Sequence, residues 1–337
     1  MRRLTLFLGA AAVLAAGVAL AASPLHVAGA SGGAPSRVIA MGSVHDLAVE
    51  GSTVAYGMRS PDAYGVWSIS GGLVKYISPQ RHLDPEAVAE GTGLAVLRGG
   101  VVAWGTHGET NHSTLDISFA RVAAPKVLKT LFSGTDDFLG SMAADGVTLA
   151  FSTQSGPYVG GIDARLYVGS TRRVTEVRHV TGWMDDVAVE GGLVAVGYRN
   201  GRVEVLRLTG NSVVAFPVGT APRGIELDGG RLVALTERDV SLRSLSNGRI
   251  ILVRPLQRPG RNVVLLDVQA GLVVYKAGRE LRLLRLSDGR ETRVPATAAD
   301  PNTLYSRFGT PGLVVSHDRV VQVIPAATLA ELLDAAG

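Results

Sequence analysis

The stretch LAVEGSTVAYG, Leu47–Gly57, decides the fold, because the chain repeats it. Close variants are LAVLRGGVVAWG (Leu94–Gly105), MAADGVTLAFS (Met142–Ser152), VAVEGGLVAVG (Val187–Gly197) and IELDGGRLVAL (Ile225–Leu235). Looser variants follow at LLDVQAGLVVY (Leu265–Tyr275) and SRFGTPGLVVS (Ser306–Ser316). Each copy is an apolar alternation, a turn containing glycine, and a second apolar run with a small residue inside it. Those residues are Ala55, Ala103, Ala150, Ala195, Ala234, Val274 and Val315, separated by 48, 47, 45, 39, 40 and 41 positions. A period near 40 with strand-like content marks a radial β array. Seven copies predict an all-β, seven-bladed β-propeller.

One copy expands into one blade. In the first, Asp46 to Glu50 alternates around Leu47 and Val49, and Gly51 supplies a positive φ without steric cost. Thr53 to Tyr56 is a second strand, Arg59 to Gly65 a loop, Gly65 to Ser70 a third strand and Leu73 to Ile77 a fourth. The small residue of the second strand suits crowding between blades. The last copy lacks a fourth strand, while SRVIAM (Ser36–Met41) precedes the first copy without a partner. The N-terminal strand is therefore expected to complete the last blade and close the ring. The tail from Thr328 reads as a short C-terminal helix, with Thr328 and Glu331 as a capping box and Leu329, Leu332 and Leu333 on one face.

The ends and the composition set the address. Arg2 and Arg3 precede the apolar run Leu4 to Leu20, and Ala19-Leu20-Ala21 or Ala28-Gly29-Ala30 offers a cleavage site. Residues 1–30 read as a secretory signal peptide, or as a membrane tether where it stays uncleaved. Residues 31–35 read as a flexible lead-in, 36–327 as the propeller and 328–337 as the helix. Export to the cell envelope or the exterior is expected. The chain has no cysteine, so no disulfide supports it. Arginine far outnumbers lysine, and Ala, Gly and Val abound, which fits a bacterial source. Formal charge is +4, and loss of Arg2 and Arg3 leaves +2, too little for nucleic-acid binding.

The stretches SVHDLAVEGSTVAYG (Ser43–Gly57) and MDDVAVEGGLVAVGYRNGRVEVLRL (Met184–Leu208) carry a resemblance to bacterial WD-repeat-like propellers, including the TolB family. It covers residues 36 to 325 and rests on strand-turn-strand rhythm. The Gly-His and Trp-Asp pairs of true WD repeats are missing, as are the Asp-box of sialidases and the tryptophan-docking motif of quinoprotein dehydrogenases. The resemblance implies a ring and a binding or scaffolding role. It implies no particular chemistry.

Candidate site residues come from two loop sets on one face. Between second and third strands, blades one to three carry GMRSPDAYG (Gly57–Gly65), GTHGETNHST (Gly105–Thr114) and STQSGPYVGGID (Ser152–Asp163), against a minimal turn at Arg199-Asn200-Gly201. Long loops on a rigid ring are where function concentrates. The second set brings His45, Asp46, Asp136, Asp137, Trp183, Asp185, Asp186, Arg223 and Asn262 to the channel mouth, either to hold a ligand or to cap turns. His107, Glu109 and His112 are the one metal-like cluster, read as a polar loop without a metal. The ligand-contact candidates are thus Asp46, Asp137, Trp183, Asp186, Arg223, His107, His112 and Tyr158. No nucleophile elbow, thiol or phosphate loop is found, so no cofactor is expected. Nine arginines from Arg249 to Arg293 fit a solvated blade edge or contact with an anionic polymer. The expected protein is a monomeric, exported, non-enzymatic binder of a protein or cell-envelope polymer through the blade-one-to-three face. The alternative is a hydrolase or lyase acting on a sugar or peptide, with Asp137 and Asp186 as its acid/base pair.

Overall fold

The structure, a computed structural model, describes residues 37–59, 62–77, 90–109, 113–155 and 162–336. The expected leader and lead-in lie outside them. The chain opens with β1 (Arg37–Ile39). Blade one is β2 (Val44–Glu50), β3 (Thr53–Arg59), β4 (Asp62–Ser68) and β5 (Leu73–Ile77). Blade two is β6 (Glu90–Leu97), β7 (Val101–Glu109), β8 (Ser113–Arg121) and β9 (Ala124–Thr135). Blade three is β10 (Asp137–Asp145), β11 (Thr148–Ser155), β12 (Asp163–Ser170) and β13 (Arg173–Thr181). Blade four is β14 (Met184–Glu190), β15 (Leu193–Tyr198), β16 (Arg202–Arg207) and β17 (Ser212–Pro217). Blade five is β18 (Ile225–Asp228), β19 (Arg231–Leu235), β20 (Asp239–Ser244) and β21 (Ile250–Pro255). Blade six is β22 (Val263–Gln269), β23 (Leu272–Ala277), β24 (Glu280–Arg285) and β25 (Glu291–Thr297). Blade seven takes β26 (Tyr305–Gly309), β27 (Gly312–His317) and β28 (Val320–Pro325) from the C-terminal end.

Blade seven is completed by β1, in the order β1-β28-β27-β26. Arg37 pairs with Gln322, Val38 with Val321 and Ile39 with Val320. The expected closure is therefore present, and the ring has seven antiparallel four-stranded sheets. First strands of neighbouring blades touch all the way round, with β26 meeting β2.

The core lies between blades. Seven apolar clusters are present, one for each blade interface. Between blades one and two, Tyr64, Val66 and Ile77 meet Leu94, Val96 and Trp104, with the rings of Tyr64 and Trp104 5.2 Å apart. The seven small second-strand residues, Ala55 through Val315, are each 0 % exposed. Larger side chains there would overpack the interface.

Two expectations need correction. The described part of Arg59 to Gly65 is strand and not loop: β3 runs to Arg59 and β4 starts at Asp62, with Met58 facing Ala63 and Gly57 facing Tyr64. The buried side chains of Met58 and Tyr64 extend the ladder, so the long connection is a tall hairpin. The helix α1 (Ala326–Asp334) starts behind Pro325 with no side-chain cap. Thr328 lies inside the first turn and cannot cap it, because Pro325 ends β28 and the helix begins at once. Leu329 and Leu333, one turn apart, fill the blade-six/blade-seven interface. Asp334 ties the helix to Arg285 and Arg290 at the turn between β24 and β25.

Candidate functional site

First strands of a propeller line its axis, and here they enclose a cavity of about 330 Å³. Its lining includes Asp186, Glu226, Asp267 and Arg307. Arg307 feels the opposing charges of Asp267, Glu226, Asp46 and Asp186, yet no direct hydrogen bond or ion pair joins it to any of the four. Burial raises the Asp46 and Asp186 carboxyls to about 6, with Arg307 opposing the rise. Burial likewise lifts Asp267, and Glu226 well above the ordinary range; Asp267 and Asp186 push Glu226 further up. The lumen is thus a desolvated acidic ring around one cation.

These carboxylates also hold backbone. Asp186 accepts the N–H of Val187 at 3.0 Å and that of Ile225, on the next blade, at 2.7 Å; Ser141 on the preceding blade donates to it at 3.3 Å. Asp267 repeats the device, accepting the N–H of Val268 and that of Phe308 across the next interface. Asp46 accepts from Leu47 at 2.7 Å. Glu226, Asp267 and Arg307 escape a reading of sequence that looks only at strand starts. Their signal is the first-strand alternation, which aims IELD, LLDV and YSRF at the axis.

On the lower face, carrying the turns between first and second strands, a second set of acids clasps neighbouring blades. Asp145 accepts from the N–H of Gly191 at 2.8 Å. Glu190 accepts from Gly229 and Gly230, and Asp228 from Ala270 and Gly271. The acids before these three turn glycines therefore fix the next turn as well as shaping their own.

The upper face holds the remaining candidates. Trp183 carries the Arg199 guanidinium 3.8 Å above its ring, and Asp185 binds Arg199 in a two-pronged pair at 2.8 and 3.0 Å. Arg223 pairs with Glu237. His107 is buried, its ring 4.7 Å from that of Phe138, which bridges blade two to blade three and is 36 % exposed. Among the described residues no group of three acidic or histidine side chains is arranged for a metal. His112 and Tyr158 lie outside the described residues.

Asp137 is not among the residues that line this cavity. It is 4 % exposed, and burial raises its carboxyl against the opposing charge of Arg165 and a hydrogen bond from Ser155. It packs against Gly134, where an added Cβ would fall 2.2 Å from its Oδ2. Asp186 lines this cavity and Asp137 does not. The chain turns at Asp136, which has φ 58°, and this tight corner carries Asp137 into the blade.

No family model matches the chain, and no curated protein matches it either. Similarity appears in three dimensions. The WD40 propeller domain of Doa1 superposes with a TM-score of 0.60 at 11 % identity, over 84 % of this chain and 93 % of that one. A chain of the mitotic checkpoint complex gives 0.60 at 12 % identity, over 87 % and 96 %. Raptor from Chaetomium thermophilum gives 0.57 at 9 % identity, over 85 % of this chain and 28 % of that one. The fold is that of the WD40 propellers. At these identities the likeness speaks for architecture alone.

Proposed function

We propose that this protein is an exported, non-enzymatic binding module that recognises a protein or cell-envelope partner through the upper face of blades one to three. The carrying observation is an asymmetry of hairpins. The strands β7 and β8 have nine residues each and β11 and β12 eight, whereas β15, β16, β23 and β24 have six. One arc of an otherwise regular ring therefore stands taller, and the exposed ring of Phe138 lies beside it. A raised arc with an aromatic anchor is a common way to build a contact surface. The similar propeller from the mitotic checkpoint complex works within a protein assembly, which fits a partner of that kind. The hydrolase or lyase reading draws less support, because Asp186 is committed to inter-blade hydrogen bonds and Asp137 is buried and is not among the residues lining the cavity.

The test replaces the β7–β8 hairpin beyond the buried pair His107 and Leu115 with a tight Asn-Gly turn, leaving the core residues in place. Pull-down from envelope extracts is expected to lose the wild-type partner while the melting temperature holds. Retention of the partner by the shortened protein would place the contact elsewhere.

A further inference from the structure

The outer edge of blade five exposes three large apolar side chains. Strand β21 reads IILVRP, and among the described residues no strand pairs with its outer side. Ile250, Ile251 and Val253 are 53 %, 52 % and 43 % exposed. Leu252 between them turns inward to the blade-five/blade-six core, and Arg254 is spent on the carbonyls of Leu286 and Ser287. Exposed edges are ordinarily blunted by charge or proline. Here β9 carries Lys126 and Lys129, β13 carries Arg173, Glu176 and Arg178, and β25 carries Arg293 and Pro295. The first four residues of β21 carry no such guard; β17 (SVVAFP) is also uncharged but exposes one large apolar side chain, Val213 at 39 %, where β21 exposes three.

Charge at the two ends indicates what pairs with it. Arg249 precedes the strand and Arg258 follows it, both exposed, and neither meets a carboxylate among the described residues. A second copy pairing antiparallel would set Arg249 of one chain toward Arg254 and Arg258 of the other, and like charges across strands repel. We infer that β21 is a docking edge for an extended protein segment, apolar at its centre and acidic at its ends, which adds a fifth strand to blade five.

The experiment uses the full chain and a labelled peptide with valine and threonine alternating at its centre and glutamates at both ends. Saturable binding is expected. Ile251→Lys with Val253→Lys should weaken it at least about tenfold, the effect of removing a contact centre, while Val127→Lys on the outer edge of blade two leaves it unchanged. Methylating alternate backbone nitrogens of the peptide should abolish binding, because strand addition needs those N–H groups. If the double lysine variant folds poorly, Arg249→Glu with Arg258→Glu provides the second test and should invert the preference towards a lysine-flanked peptide. The inference fails if the wild type does not bind, or if the methylated peptide or the lysine variant binds as well. It fails equally if light scattering shows a dimer that the lysine variant dissolves, or if phosphatidylglycerol vesicles bind β21 in place of the peptide.

Discussion

The carboxylate of Asp186 on blade four accepts the backbone N–H of Ile225 on blade five at 2.7 Å. This bond crosses a blade interface inside the channel, where burial raises the same carboxyl to about 6. Structure and titration therefore meet in one group. Asp186→Ala strands the Ile225 N–H and should cost about 2 kcal/mol, the penalty of an orphaned buried donor. Asp186→Asn keeps an acceptor and should cost less. Chemical denaturation would distinguish them, and equal losses would refute the assignment.

A raised carboxyl means that the folded state holds its proton more tightly than the unfolded chain. For Asp46 and Asp186 that difference spans pH from about 4 to about 6, so their contribution to stability grows as pH falls through 6 and is absent above it. His317, whose burial lowers its pKa, acts in the opposite sense below its ordinary value. Asp288, held down to about 2 by Arg285, matters only in stronger acid. The melting temperature of wild type at pH 5 minus that at pH 7.5 should therefore exceed the same difference for Asp46→Asn/Asp186→Asn. Identical differences would show that these two groups do not govern the profile.

Closure of the ring rests on few contacts. Besides the three β1–β28 pairs, Ala40 donates to the Arg319 carbonyl at 2.7 Å, Val44 donates to that of Asp318, and Arg319 donates back to Ala40. Removing residues up to Met41 exposes the edge of β28 and should cost at least about 2 kcal/mol, given roughly 1 kcal/mol for each net hydrogen bond. Hydrogen exchange should show β28 and β27 losing protection first. Uniform exchange across all blades would mean that β1 does not lock the ring.

The turn acids give a fourth expectation. Glu190→Gln weakens a clasp to Gly229 and Gly230 that lies at the surface, so the cost should be about 0.5–1 kcal/mol. Asp145→Asn and Asp228→Asn should behave alike, and the three should add, because each serves a different interface. A midpoint shift in urea larger than the sum would reveal cooperation around the ring.

Blade number, strand order, the crowded alanines and the N-terminal closure were all legible in the chain, because each follows from a repeat whose period and turn residues recur. Local rules misled where tertiary contacts override them. The segment Arg59 to Gly65 looks like a loop by its Pro, Ser and Asp, but burial of Met58 and Tyr64 extends β3 to Arg59 and starts β4 at Asp62. The Thr328 box fails because Pro325 starts the helix one turn earlier. The cavity was partly visible: Asp186 lines it from the repeat position that the sequence marks, and Asp46, at the same repeat position, adds its charge opposite Arg307. The counter-charge Arg307 sits in the least regular repeat, and Asp137 is removed by the corner at Asp136, whose positive φ no pattern discloses.

Gly65 gives the sharpest test of the packing. It pairs with Tyr56 across β3 and β4, and an added Cβ would fall 2.1 Å from the ring carbon Cζ of that tyrosine. Tyr56 is fully buried in the blade-seven/blade-one interface, so its ring has nowhere to go without disturbing Trp67 and Val321. Overpacking of this kind costs about 1–3 kcal/mol, and Gly65→Ala should lower stability by an amount in that range. Tyr56→Leu removes the clash and creates a small void of its own, so adding it to Gly65→Ala should recover part of the loss. A double mutant at least as unstable as the sum of the two single changes would show that the alanine acts on the backbone of β4 and not through the tyrosine ring.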